Sequence, residues 1–156
     1  MSRFLRNAGA AALAAAAFGT VTSAAQAQTY NRLVVFGDSL SDSGFYQPFL
    51  VSTYGPEAAL ADRFTTNPGL VWSEYVANYF GGNGSPAWQL AMVNGVPTWV
   101  PASGGNYAAG GATVSPGPGY PPAPPTQFAP SLTDQVNAYL AANGGVADPD
   151  ALYTMW

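Results

Sequence analysis

Arg32-Leu33-Val34-Val35-Phe36-Gly37-Asp38-Ser39 is a short apolar run that ends on a backbone breaker. The run is β-branched and aromatic, which suits a strand. It is apolar at four consecutive positions and does not alternate, the pattern of a strand covered on both faces in a parallel sheet. Gly37-Asp38-Ser39 then turns the chain at the carboxyl end of that strand. In α/β proteins this end opens into the crevice where ligands bind.

Downstream, helical and extended signals alternate. Asn67-Pro68 predicts a helix start, with Asn67 as N-cap and Pro68 at the first helical position. Val71, Tyr75, Val76, Tyr79 and Phe80 follow at helical spacing, and Gly81-Gly82 stops the helix. Ser131 to Ala142 predicts a second helix, with Ser131 and Asp134 as a capping box and Leu132, Val136, Tyr139 and Leu140 as its buried stripe. A short strand is expected near Asn106 to Ala109, another over Ala151 to Trp156, and a loop or hairpin around Asn94-Gly95. Strands alternating with helices give an α/β fold with a mainly parallel sheet. Ser115 to Pro130 holds seven Pro and reads as a stiff, extended surface loop. The apolar, uncapped end at Trp156 reads as a domain cut after about three strands.

Composition removes several function classes. The 156 residues hold four Arg, no Lys, eight acids, no His and no Cys, with a net charge of −4. That balance argues against a nucleic-acid partner, which is held by basic side chains at the phosphates. Without Cys there is neither a disulfide framework nor a thiolate metal site, and without His there is no imidazole ligand or base. No cofactor is expected. Glu57, Asp62 and Glu74 are scattered and read as a solvated face, not a metal site.

Met1 to Ala27 reads as a secretory signal: Arg3 and Arg6, a small-apolar run over Ala8 to Phe18, and Ala25-Gln26-Ala27 as the cleavage pattern. The mature portion, residues 28–156, would start at Gln28 and keep Arg32 and Arg63 against eight acids. The expected location is the periplasm, the cell surface or the exterior.

Ser39 is the candidate nucleophile. A hydroxyl at a strand-to-helix junction has backbone N–H groups beside it that can hold an oxyanion, but it needs a base within reach. Gly-Asp-Ser is also ordinary turn chemistry, and Asp38 and Asp42 read as turn and capping residues.

Phe36-Gly37-Asp38-Ser39-Leu40-Ser41-Asp42-Ser43-Gly44 resembles the first block of the GDSL, or SGNH, lipases and esterases. Arg63-Phe64-Thr65-Thr66-Asn67-Pro68-Gly69 to Trp72 is similar to the family's segment before its first helix, with an extra Thr and a Pro. Asn106-Tyr107-Ala108-Ala109-Gly110-Gly111-Ala112 resembles the second block, and Ala151 to Trp156 the strand leading into the third. The resemblance implies a three-layer α/β/α fold and a serine ester hydrolase that forms an acyl-enzyme on Ser39. It implies Ser39 and Gly111 as oxyanion donors, with Gly110 the alternative for the second. The family's Gly-x-Asn-Asp block and late Asp-x-x-His have no counterpart here, so the chain reads as the N-terminal part of an esterase, inactive by itself. The substrate would be a small-molecule or lipid ester. The same form occurs in exported bacterial esterases with a C-terminal outer-membrane barrel. The competing reading is a non-catalytic exported module that binds carbohydrate or a surface, with Ser39 as a helix cap. Trp72 and Trp156 are expected in the core; Trp88 and Trp99 are open between core and ligand stacking.

Overall fold

The computed structural model describes residues 29–61, 63–66 and 68–156. Residues 1–27, where the signal segment is expected, and Gln28, Asp62 and Asn67 lie outside them. Among the described residues no helix is long and apolar enough to cross a membrane.

Strand β1, Arg32–Phe36, lies at the centre of a parallel sheet. On one edge it pairs with β4, Ala151–Met155, in the register Arg32 to Ala151 through Phe36 to Met155. Along its other edge runs the segment 105–109, also parallel: Val35 N–H donates to the Gly105 carbonyl (3.0 Å), and Tyr107 N–H to the Val35 carbonyl (2.8 Å). The expected strand near Asn106 is thus an extended segment bridged to β1, not a regular ladder.

Successive β1 side chains point to opposite faces. Leu33 and Val35 meet Ala77 and Val76 of helix α2, Trp72–Tyr79, with Ala108 and Leu152. Val34 and Phe36 meet Tyr139, Leu132 and Val136 of helix α3, Leu132–Ala142. Helix, sheet and helix make three layers, as an all-apolar β1 requires.

A third cluster packs beside this sandwich. Helix α1, Gln47–Tyr54, brings Phe49 against Phe45, Tyr46, Leu90 and Ala129. Leu90 belongs to a hairpin of β2, Trp88–Val93, and β3, Val96–Pro101. Its turn is Asn94-Gly95, with φ of 51° and 80°. These left-handed values are the ones a tight hairpin matching strand twist demands, and Asn and Gly tolerate them best.

Some expectations are corrected. Helix α1 carries no start signal in the sequence and is an addition to the expected elements. Helix α2 begins at Trp72, not at Asn67-Pro68, and its N-terminus is fixed by Glu74, whose Oε2 accepts from Val71 N–H (3.0 Å). Its buried face is Ser73, Glu74 and Ala77, while Tyr75 and Tyr79 are exposed. Glu74 is not part of a solvated face: it is 8% exposed and receives Arg63 through Nε and Nη2 (2.8 and 2.9 Å). Trp156 is 68% exposed and lies against half-buried Trp72, so the expected core place fails for it. Trp88 and Trp99 stack at 5.1 Å, and their indole N–H groups donate to the carbonyls of Tyr107 (3.2 Å) and Phe128 (2.8 Å).

Helix α3 starts as its sequence predicts. Ser131 Oγ accepts from Asp134 N–H (3.1 Å) and Asp134 Oδ2 from Ser131 N–H (3.0 Å). Its next two N–H groups, of Leu132 and Thr133, find the carbonyls of Thr113 (2.8 Å) and Val114 (3.3 Å). The Pro-rich stretch therefore leaves and returns at one place. It is a compact excursion with bonded ends, not an extended run.

Candidate active site

The chain leaves β1 at Gly37 and tightens at once. Leu40 N–H donates to Asp38 Oδ1 (3.0 Å) and Ser41 N–H to the Asp38 carbonyl (3.1 Å), so Asp38 is a turn residue. Ser39 sits at the outside of this turn, half-buried, and its hydroxyl makes no hydrogen bond with the described residues. Ser41, two residues on, points inward and is buried.

Three buried polar side chains hold the turn. Gln135 of α3 lies against Gly37. Its Oε1 accepts from Gly37 N–H (2.9 Å), and its Nε2 donates to the Gly37 carbonyl (2.9 Å) and the Pro130 carbonyl (3.2 Å). A side chain on Gly37 would meet the Trp156 carbonyl at 3.0 Å and Ser41 Oγ at 3.1 Å, which is why glycine stands there. Asn106 donates from Nδ2 to the Ser41 carbonyl (2.7 Å) and Ser73 Oγ (3.2 Å), while its Oδ1 accepts from Ala108 N–H (2.9 Å). Asp42 is fully buried. Its Oδ1 caps the start of the next turn, accepting from Gly44 (2.8 Å) and Phe45 (2.7 Å), and its Oδ2 accepts from Gly110 N–H (2.8 Å).

These contacts join the first block to the second. Ala109 N–H donates to the Gly37 carbonyl (3.2 Å), and buried Tyr46 donates its hydroxyl to the Gly110 carbonyl. Burial, and then the neighbouring Asp42, pushes the Tyr46 phenol well above its usual value of 10.0. Phe64 packs its ring on Gly110, where a Cβ would stand. Gly111 has φ of 82°, and a Cβ there would strike the Tyr120 carbonyl at 2.5 Å and Thr126 at 3.0 Å. Its carbonyl accepts from Tyr120 N–H (2.8 Å), while its N–H makes no hydrogen bond with the described residues.

Ser39 and the Gly110-Gly111 turn are thus brought to one end of β1. Gln135, Asn106 and Tyr46, none of them a sequence candidate, support that end; Asp42 does more than cap a turn. Asn106 heads the second block, but nothing local marks these supporting roles, because the partners lie up to 98 positions away. Among the described residues no group of His, Cys, Asp or Glu converges as a metal site.

A serine at a strand-to-turn junction and a glycine turn thus meet at the carboxyl end of a parallel sheet, the place where α/β proteins bind ligands. The chain belongs to the GDSL-like lipase/acylhydrolase family, whose model matches residues 33–156. It is similar to Lipase 1 of Photorhabdus luminescens, 28% identical over 137 residues. That match covers 88% of this chain and 16% of Lipase 1, so the chain spans about a sixth of that relative.

Proposed function

We propose that this chain carries the nucleophile and two oxyanion donors of a serine ester hydrolase. Ser39 Oγ bonds to the ester carbonyl carbon and its proton passes to a base. The alcohol leaves with that proton, and water then attacks the acyl-serine to release the acid and restore Ser39. Ser39 N–H and Gly111 N–H hold the carbonyl oxygen as its negative charge develops. The observation that carries this reading is the difference between two adjacent amides: Gly110 N–H is occupied by Asp42, whereas Gly111 N–H bonds none of the described residues.

The base comes from outside these residues, since none of the 156 is His. The full-length parent is the esterase, and the segment alone is inactive or nearly so. The signal-type leader supports export to the periplasm, cell surface or exterior. A C-terminal outer-membrane barrel remains part of this proposal, on the resemblance alone. The substrate is a small-molecule or lipid ester, in keeping with the similarity to Lipase 1.

The test is a fluorophosphonate probe on the full-length parent. Wild type should be labelled at Ser39 and Ser39→Ala should not; equal labelling of the two refutes the assignment.

A further inference from the structure

The candidate oxyanion donor sits on a turn whose position needs an explanation. Gly110 and Gly111 have no side chains, and the ring of Phe64, half exposed, is a soft support. Tyr46 holds the Gly110 carbonyl and Tyr120 N–H the Gly111 carbonyl, while the Gly110 amide is held by Asp42. It is fully buried, and it spans the gap between the nucleophile loop and the glycine turn, 68 positions apart in sequence.

We propose that Asp42 is a positioning residue for the oxyanion hole: by holding Gly110 N–H it leaves Gly111 N–H as the donor and fixes that donor relative to Ser39. The inference rests on the Ser39 reading above. Asp42 touches no reacting atom. Its Oδ1 bonds to Gly44 and Phe45 fix the loop that begins at Ser39, and its Oδ2 bond fixes the turn that carries Gly111. One planar group thus ties the two donor-bearing segments to each other. A displacement of about 1 Å at such a site can cost roughly a hundredfold in rate.

Asparagine tests this, because it has the shape of aspartate and only one acceptor oxygen. If that oxygen keeps Gly44 and Phe45, the amide nitrogen faces Gly110 N–H, donor against donor, and the turn must move. If it keeps Gly110, the nucleophile loop loses its anchor. In the full-length parent, Asp42→Asn should lower kcat per fluorophosphonate-labelled site by about 10- to 100-fold, with KM changed less than threefold. Counting labelled sites removes any loss of folded protein from the comparison. A kcat per labelled site within twofold of wild type overturns the proposal.

Should the variant fail to fold, residue-resolved hydrogen exchange on the wild-type parent decides. The Gly110 amide should be protected in the free enzyme, and the Gly111 amide should slow at least tenfold only when the phosphonate adduct forms. Free exchange at Gly110, or no change at Gly111, overturns the proposal. Failure of the wild type to label at Ser39 is a separate result. It refutes the serine reading itself, and it is obtained before any Asp42 variant is made.

Discussion

Gln135→Leu tests whether the α3 side chain that meets Gly37 holds the nucleophile turn. Leucine nearly fills the volume and removes the amide. Three hydrogen bonds vanish: from Gly37 N–H, to the Gly37 carbonyl and to the Pro130 carbonyl. The Gly37 carbonyl keeps Ala109 N–H as a donor, but Gly37 N–H and the Pro130 carbonyl lose theirs. Gln135 is fully buried, so no bulk water replaces them. At about 1–3 kcal/mol for each orphaned buried group, the loss is about 2–6 kcal/mol. Burying the extra apolar surface of leucine returns about 1–2 kcal/mol. At the middle of both ranges the net destabilisation is about 2.5 kcal/mol. With a urea m-value of about 2 kcal/mol/M, the midpoint of the intact protein should fall by about 1 M. Ser39 labelling should slow in the same variant, because Gly37 is two residues from the hydroxyl. A midpoint within about 0.2 M of wild type would refute the claim that the amide pairing holds this turn.

Other perturbations follow from the same geometry. Ser39→Ala should abolish fluorophosphonate labelling while moving the thermal midpoint by no more than a degree or so, since the hydroxyl makes no hydrogen bond to the described residues. Tyr46→Phe should cost about 1–3 kcal/mol in chemical denaturation, because the buried Gly110 carbonyl loses its donor. The Tyr46 phenol is held protonated above its usual value of 10.0, so its contribution is complete below that pH and is lost as pH rises through the higher folded value. Stability curves of wild type and Tyr46→Phe should therefore run parallel below about pH 10 and converge above it; parallel curves throughout would refute this. Arg63→Met should cost about 3 kcal/mol by leaving Glu74, 8% exposed, without its guanidinium. Phe45→Ala should cost about 3–5 kcal/mol in the same assay, since Phe45 is wholly buried among Tyr46, Phe49 and Leu90.

The parts of this fold that the sequence made legible are those whose signals are local. An all-apolar β1 implied cover on both faces, and α2 and α3 supply it. Ser131 and Asp134, three apart, named the start of α3, and Asn94-Gly95 named the hairpin turn. Helix α1 escaped because it has no comparable signal. Its N-cap is Tyr46, which makes no side-chain cap bond, and Pro48 sits in its first turn. Its residues Pro48, Phe49, Leu50 and Val51 are apolar in succession, so no stripe separates a core face. Helix α2 misled for the opposite reason. Asn67-Pro68 is a strong local start, but Arg63 and Glu74 fix the real one at Val71. The site divides along the same line. Ser39 and the glycine turn are contiguous motifs, whereas Gln135 and Asp42 act through partners far along the chain.

The Pro-rich excursion has both feet on one spot, since Leu132 N–H bonds the Thr113 carbonyl. Exchanging its outer portion, Ser115 to Pro118, therefore leaves the three-layer scaffold undisturbed. Tyr120 and Thr126 are a different matter, because the Thr126 side chain lies against Gly111 and Tyr120 N–H clasps its carbonyl. Anyone grafting foreign loops here to alter substrate range should cut outboard of that clasp, or the graft will drag the amide with it.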